Sequence, residues 1–433
     1  MLNEINGLCG ILTIPGDKSI AHRALLLAAL GTGHSRIVGL GTGADIASTA
    51  RCLRQLGVSI VSDGDVWQVD SPGFGGWQTP ADTLDCGNSG TTMRLLTGLL
   101  AAHPGLHATL DGDTSLRQRP MARVVEPLTV MGAQIASSQG RPPLVVTGQA
   151  LHGAVHVLPV ASAQVKSALL LAGLFAAGET VVEEPLASRD HTERLLAALG
   201  VALRTHGTRH AIAGRGPQAV LPPLGEVHVP GDPSSAAFAI VLAVLHPDAD
   251  VTVQRVAQNP TRTGFLRVLE RMGARVTIAA RAQACGEPLG NLRARSSHLC
   301  ATDIAAQEVP SLIDELPILA LAAAAALGTS HFSGLAELRV KESDRLAAIL
   351  RLLHLLGVPA ESGADWLTIH GVGAAAEFDA SRAAFRPGLD HRMAMTAEVA
   401  NLVSPSALEI PGFAEAVASS WPEFTAALAG LAA

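Results

Sequence analysis

Four short segments place cations beside residues that open helices. In Pro15-Gly16-Asp17-Lys18-Ser19-Ile20-Ala21-His22-Arg23, Lys18 and Arg23 stand five residues apart at a helix start. Both side chains can reach back over that terminus, where unpaired amides and the helix dipole already favour an anion. Together they suit a phosphate and a carboxylate. Asp111-Gly112-Asp113-Thr114-Ser115-Leu116-Arg117-Gln118-Arg119-Pro120 sets two arginines just before a helix expected to start at the proline. Lys341-Glu342-Ser343-Asp344-Arg345 spaces Lys341 and Arg345 at i,i+4, one face of a helix. Asp390-His391-Arg392 adds a further arginine at a helix start. None of this is a nucleotide-binding P-loop, whose GxxxxGK[ST] spacing is absent. Ordinary N-capping accounts for the Ser, Asp and Asn residues but not for the lysines and arginines beside them. A solvated, ion-paired face is the plain alternative for the Lys341–Arg345 segment.

The elements that carry these segments repeat. Polar leaders run directly into apolar helices at Asp17, at Asn88-Ser89, at Ser162, at Asp232, at Asp314-Glu315 and at Asp390. A second series interleaves with them, an amphipathic helix closing on a glycine. It occurs at Gly57, Gly132, Gly200, Gly273 and Gly357, at steps of 75, 68, 73 and 84 residues, with a degenerate sixth copy at Gly430. Each glycine suits the left-handed position that stops a helix. Six copies at a period of about 72 residues describe a repeat of strand, buried helix, strand, surface helix and one or two further strands. A boundary is expected near Val229-Pro230-Gly231, with three copies on either side facing one another across a cleft.

Composition narrows the function. The chain has 433 residues, 48% of them hydrophobic and only 3% aromatic, with no tyrosine. The core is therefore expected to be aliphatic, and stacking on nucleobases is disfavoured. A net charge of −7 disfavours a polyanionic partner as well. The five cysteines are scattered and form no CxxC, which predicts reduced thiols, mostly in the core, of a cytoplasmic protein. Met1-Leu2-Asn3-Glu4-Ile5 has no basic, apolar signal pattern. The longest apolar stretches, near 168–178 and 316–327, are too short to span a bilayer.

The combination resembles the 3-phosphoshikimate 1-carboxyvinyltransferases, or EPSP synthases. The strings that carry the resemblance are PGDKSIAHRALLLAAL, DCGNSGTTMRLLTGLL, LRQRPM, SAQVKSALLLAGL, SRDHTE, PGDPSSAAF, IDELP, LRVKESDRL and DHRMAM, in the family's order from Pro15 to Met395. The resemblance implies a two-domain inside-out α/β barrel of six βαβαββ units, three per domain. Domains are expected at 16–229, the shikimate 3-phosphate side, and at 1–15 plus 230–433, the phosphoenolpyruvate (PEP) and catalytic side. The implied reaction moves the enolpyruvyl group of PEP to the 5-hydroxyl of shikimate 3-phosphate and releases phosphate by addition and elimination. No metal or organic cofactor is implied, and a monomer is expected.

Carried over residue by residue, the resemblance implies that Lys18 lies between both substrates. Ser19, Arg23, Ser162, Gln164 and Arg189 would hold shikimate 3-phosphate, with Gln164 near PEP too. Asn88 and Gly90 would wall the PEP site, and Arg119, Arg345 and Arg392 would clamp it. Lys341 would bridge the substrates. Asp314 is the expected acceptor of the 5-hydroxyl proton, with Glu315 as its rival, and Asp314 could also cap the helix before Pro317. Glu342 is the expected proton donor to the PEP methylene, directly or through Lys341. Binding residues from both halves imply closure. Two departures stand out. Ala163 occupies a position where the family often has serine, and Ala418-Ser419-Ser420-Trp421-Pro422 lacks a lysine many members carry there. Together with SRDHTE and SAQVKS these features look like the family's second class. Some of that class tolerate glyphosate, an inhibitor of the family, but Gly90 is retained where alanine would crowd it, so inhibition is expected. The rivals are UDP-N-acetylglucosamine enolpyruvyltransferase, whose loop cysteine is missing from Ser115–Pro120, a non-catalytic nucleic-acid-binding relative, and a solenoid scaffold.

Overall fold

The computed structural model describes residues 7–380 and 384–432, so the opening residues Met1–Ile5 lie outside the described residues. The chain divides into two compact units. The first comprises Gly16–Val229 with Ala284–Glu287, and the second comprises Met1–Pro15, Pro230–Gln283 and Pro288–Ala433.

The first unit carries three four-stranded sheets of one pattern. They run Glu226–His228, Thr32–Val38, Val66–Pro72, Ser59–Asp63; then Leu84–Asp85, His107–Asp111, Arg141–Thr147, Gln134–Ser138; then Val155–Val157, Glu179–Glu183, Arg209–Ala213, Leu203–His206. In each, the short edge strand pairs parallel and the other pairs are antiparallel. A buried helix precedes each central strand: Lys18–Leu30, Gly90–Ala101 and Ala163–Leu174. Nearly every residue of these helices is buried, as expected for helices apolar all round. The last two pack so closely that a Cβ on Gly98 would lie 2.5 Å from the Ala168 carbonyl oxygen. That contact sets their N-termini side by side.

The second unit begins with the same pattern and loses it stepwise. Its first sheet is Leu8–Leu12, Ala249–Ala257, Glu287–Arg295, Arg275–Ala284. Its second has three strands, Leu327–Ser333, Trp366–Val372 and Ala360–Ser362, with the parallel edge reduced to bridges at Cys300 and Ile304. In the sixth copy the described residues show the bridge between Ala384 and Glu409 and the helices His391–Val403, Phe413–Val417 and Phe424–Ala429.

The repeat glycines follow the same gradient. Gly57, Gly132, Gly200, Gly273 and Gly357 have φ between +70° and +97°, the left-handed stop. Gly430 does not: its φ is −67°, helical, because the chain continues the turn instead of reversing into a strand. The expectation of core cysteines also needs correction. All five are free, but only Cys52 and Cys86 are buried; Cys9 and Cys300 are exposed at sheet edges and Cys285 is half-buried. Among the described residues no helix is long and apolar enough to cross a membrane.

Candidate active site

In the first unit, Asp17 caps the helix Lys18–Leu30 by accepting from the Ile20 amide at 2.9 Å. Lys18, the first helical residue, reaches Asp45 at 2.9 Å. Arg23, one turn on, is buried, and its guanidinium donates to neutral groups: Thr192 Oγ1 at 2.7 Å, Ser167 Oγ at 2.8 Å and the Ser19 carbonyl at 2.9 Å. Burial, with repulsion from Arg189 behind it, pulls Arg23 down to about 10. Arg189 in turn donates to Ser19 Oγ at 3.4 Å. Lys18, Ser19, Arg23 and Arg189 thus form one cluster around the start of a helix.

A second cluster of this unit joins the neighbouring helix starts. Ser89 caps Gly90–Ala101, and Ser162 caps Ala163–Leu174. Gln164 donates to Thr91 Oγ1 at 2.8 Å and accepts from Arg94. Asn88 donates to Asp113 at 2.7 Å and accepts from Arg119. The two arginines of the LRQRPM string part company. Arg117 is exposed and forks onto Asp111 at 2.9 and 2.6 Å, whereas Arg119 is buried beside Asn88. The helix after them starts at Ala122, not at Pro120, after a short 3-10 turn at Leu116–Gln118. Gly90 is packed by charge, since a Cβ there would lie 2.8 Å from Arg94 Nη1 and 3.3 Å from Arg119 Nη1. Arg94 was not among the expected site residues. Its signal was a lone arginine in an apolar helix, four residues after Gly90 and so on the same face.

In the second unit the centre is Asp314. Its carboxylate lies 3.2 Å from Arg345 Nη1, 3.7 Å from Lys341 Nζ and 3.7 Å from Arg392 Nη2, and Arg392 Nη1 donates to its carbonyl at 3.2 Å. Asp314 does not cap the following helix. That helix is Leu316–Ala324, with Glu315 at the cap position and no side-chain cap bond. Glu315 turns the other way: it is buried and accepts from Ser234 Oγ, with Arg262 at 4.0 Å. Arg262, also unforeseen, donates to Asp232 at 3.0 Å and to Ser234 at 2.8 Å.

Lys341 and Arg345 do not share a helical face. Asp344 caps the helix Arg345–Leu355 through the Ala347 amide at 3.0 Å, so the helix starts four residues later than the spacing suggested. Lys341 follows a 3-10 turn in extended backbone and meets Asp314 from outside the helix. Arg345 is buried and binds three carboxylates: Asp390 at 2.9 Å, Asp314 and Glu342. Burial opposes its charge, but these carboxylates outweigh burial and hold the guanidinium above its ordinary value. Asp390 also accepts from Ser343 at 2.8 Å and caps His391–Val403 through the Arg392 amide at 3.1 Å. Ser419, in the Ala418–Pro422 stretch, lies 3.2 Å from His391 Nδ1.

Asp190, His191 and Glu287 bring potential metal-ligand atoms within 4.8 Å of one another. The Arg194 guanidinium sits 2.9 Å from Asp190 and 3.7 Å from Glu287, so this donor set already holds a cation of its own.

The geometry is that of anion sites with carboxylates among the cations, and comparison with known proteins gives it a family. The family model described as EPSP synthase (3-phosphoshikimate 1-carboxyvinyltransferase) matches residues 2–428. Proteins named 3-phosphoshikimate 1-carboxyvinyltransferase are 47% identical in Synechococcus sp. (strain RCC307), over 98% of this chain and 96% of theirs, and 47% identical in Thermus thermophilus, over 96% and 94%. An EPSP synthase structure from Acinetobacter baumannii superposes with a TM-score of 0.85 at 40% identity, covering 98% of this chain and 96% of that one. The enolpyruvyl transferase NikO from Streptomyces tendae shares the fold, with a TM-score of 0.77 at 20% identity over 98% and 95% of the two chains. A match of this extent, at this identity, means that the chain belongs to the EPSP synthase family.

Proposed function

We propose that the chain transfers the enolpyruvyl group of PEP to the 5-hydroxyl of shikimate 3-phosphate, releasing phosphate, and that its clusters divide the work. Both substrates are polyanions, and cations held in place offset their mutual repulsion. In the first unit, Ser19, Arg23, Ser162 and Arg189 hold shikimate 3-phosphate, Asn88, Gly90 and Arg119 receive PEP, and Lys18 and Gln164 reach both. In the second unit, Arg345 and Arg392 grip PEP, and Lys341 stands at the reacting atoms.

The proton steps fall to two carboxylates. Glu342 delivers a proton to the PEP methylene carbon. The 5-hydroxyl oxygen adds to the neighbouring carbon while Asp314 takes its proton. Removal of a proton from the new methyl group, with cleavage of the carbon–oxygen bond to phosphate, restores the enol ether. The observation that carries this assignment is the setting of Asp314, a mostly buried carboxylate within 3.7 Å of three cationic side chains. Glu315 is close in sequence but engaged with Ser234 and Arg262.

The direct test is phosphate release from PEP, with and without shikimate 3-phosphate, in wild type and Asp314→Ala. Release that needs both substrates and collapses in the variant is expected. No release with shikimate 3-phosphate would overturn the reading and make UDP-N-acetylglucosamine the next acceptor to try. The free cysteines support a reducing, cytoplasmic setting. We also propose a monomer, which light scattering on the purified chain checks.

A further inference from the structure

Beneath the first unit's anion cluster lies a group of charges that the chemistry above does not use. Lys166, on the helix Ala163–Leu174, has a side chain with no exposure at all. Its ammonium lies 2.8 Å from Glu184 Oε2, just beyond the strand Glu179–Glu183, and 2.8 Å from Glu193 Oε1, on the helix His191–Ala198. Burial opposes its charge, but the two glutamates outweigh burial and raise it. As a stability device such a triad is poor, because apolar residues of similar volume do as well or better. An apolar replacement could not do what Glu184 does. Its Oε1 accepts from the Ser162 amide at 3.2 Å and its Oε2 from the Ser188 amide at 3.4 Å. Those amides begin the two segments that carry Ser162 with Gln164 and Arg189. The residue after Lys166, Ser167, accepts from Arg23 and from Thr192.

We infer that Lys166 and Glu184 are positioning residues for shikimate 3-phosphate: Lys166 neutralises Glu184, and Glu184 fixes the Ser162–Gln164 and Ser188–Arg189 segments by their backbone. This rests on the functional reading above. It makes the triad a determinant of affinity chiefly for shikimate 3-phosphate, with PEP touched only through Gln164.

His210 supplies a readout that a merely structural role would not move. On the strand Arg209–Ala213, its Nε2 lies 3.8 Å from Glu184 and its Nδ1 3.5 Å from Glu193, with Thr205 Oγ1 at 3.2 Å. The charged groups facing it are Lys166, Glu193, Glu184 and, farther off, Asp190; burial first and the Lys166 cation second keep it neutral. Lys166→Met deletes that cation and leaves two buried carboxylates beside the imidazole. Its pKa then rises, and below that value the imidazolium replaces the missing ammonium. The function lost in the variant therefore returns as pH falls and disappears again as pH rises.

The experiment measures KM for both substrates, and calorimetric binding of shikimate 3-phosphate, from about pH 5.5 to about pH 8.5, a range spanning histidine titration. Lys166→Met is expected to weaken shikimate 3-phosphate about tenfold or more at the alkaline end, with KM for PEP changed less than about threefold. Most of the loss should be recovered at the acid end, and Lys166→Met combined with His210→Gln should not recover. Constants for shikimate 3-phosphate within about twofold of wild type throughout, or both substrates weakened together without recovery, would overturn the inference. If Lys166→Met does not fold, Glu184→Gln is read in its place: weaker shikimate 3-phosphate with unchanged PEP supports the assignment, and no change refutes it. A wild type that binds shikimate 3-phosphate without releasing phosphate would sink the functional reading alone, leaving this one to the calorimetry. A wild type that does not bind it would sink both.

Discussion

Arg23 and Arg345 are both buried arginines, one in each unit, and they are built in opposite ways. Arg23 is held by two hydroxyls and a carbonyl, and burial pulls it down to about 10. Arg345 is held by Asp390, Glu342 and Asp314, and stands above its ordinary value. The first unit thus keeps a cation bonded directly to neutral groups, with Glu193 and Asp17 acting from farther off, and an anionic ligand would supply closer counter-charge. The second sets three cations, Lys341, Arg345 and Arg392, against three carboxylates, Asp314, Glu342 and Asp390. An anion arriving at that balanced cluster tips it negative and favours proton uptake by a carboxylate, which suits acid–base work. On the function proposed above, the first unit serves binding, and the second joins binding to the proton steps.

Removing each arginine separates the two designs most sharply. Arg345→Met takes the direct cation from Asp390 and Glu342 and leaves Asp314 to Lys341 and Arg392, and we expect a loss of about 3–5 kcal/mol in urea unfolding together with loss of turnover. Arg23→Met leaves two hydroxyls and the Ser19 carbonyl, all neutral, and Thr192 and Ser167 already bond each other at 2.7 Å. Its loss should be about 1–2 kcal/mol, with the main effect on KM for shikimate 3-phosphate. Equal stability losses would erase the distinction.

Within the second unit, adjacent acids offer the next contrast. Asp314→Asn should lower kcat by about 10²–10⁴-fold with little change in KM for PEP. Glu315→Gln keeps an acceptor for Ser234, so kcat should stay within about tenfold, while the weakened partner of Arg262 costs about 1–3 kcal/mol of stability. A large kcat loss in Glu315→Gln and a small one in Asp314→Asn would move the catalytic carboxylate by one residue.

These contrasts track what could be read from the sequence. The family fold was legible because a helix stop needs a left-handed residue, and Gly57, Gly132, Gly200, Gly273 and Gly357 supply one at regular intervals. The reduced sheets of the second unit were not, because strand loss leaves the helix periodicity intact. Cations beside caps were visible as types out of place. Their partners were not, since Arg262, Asp232 and Glu315, or Lys166, Glu184 and Glu193, meet only through the tertiary fold. The Lys341–Arg345 spacing misled for a local reason: Asp344 is the stronger cap, so the helix starts after Lys341.

Gly90 tests the packed side of the first unit. The atoms an alanine would meet are the far ends of Arg94 and Arg119, which can shift by a few tenths of an ångström. Gly90→Ala should therefore fold normally. Displacing guanidinium groups without removing charge should raise KM for PEP by about 2–10-fold. Glyphosate, which we expect to inhibit the wild type, should lose potency by more than PEP loses affinity. An alanine variant with unchanged constants for both would place Gly90 away from the ligands.

The smallest effect reports on the cations clustered at the start of the helix Lys18–Leu30. His22 is buried on the helix that carries Lys18 and Arg23, with Nδ1 2.7 Å from Thr49 Oγ1. Burial, then Lys18, then Arg23 hold it well below its ordinary value. Its folded form is therefore neutral where the unfolded chain, with a pKa of about 6.5, begins to take up a proton. Below that pH the unfolded state binds more protons, so stability falls as pH falls, by at most about 1.4 kcal/mol per unit from this group. Above about pH 7 the contribution is constant. His22→Gln removes the titration and should flatten this part of the stability profile, read from urea midpoints at successive pH values. Lys18→Met in a wild-type His22 background should leave that onset in place and make the decline level off at higher pH, because one of the two repelling cations is gone and the folded His22 takes up its proton sooner. An unchanged lower end of the decline would mean that burial keeps His22 neutral without help from the Lys18 charge.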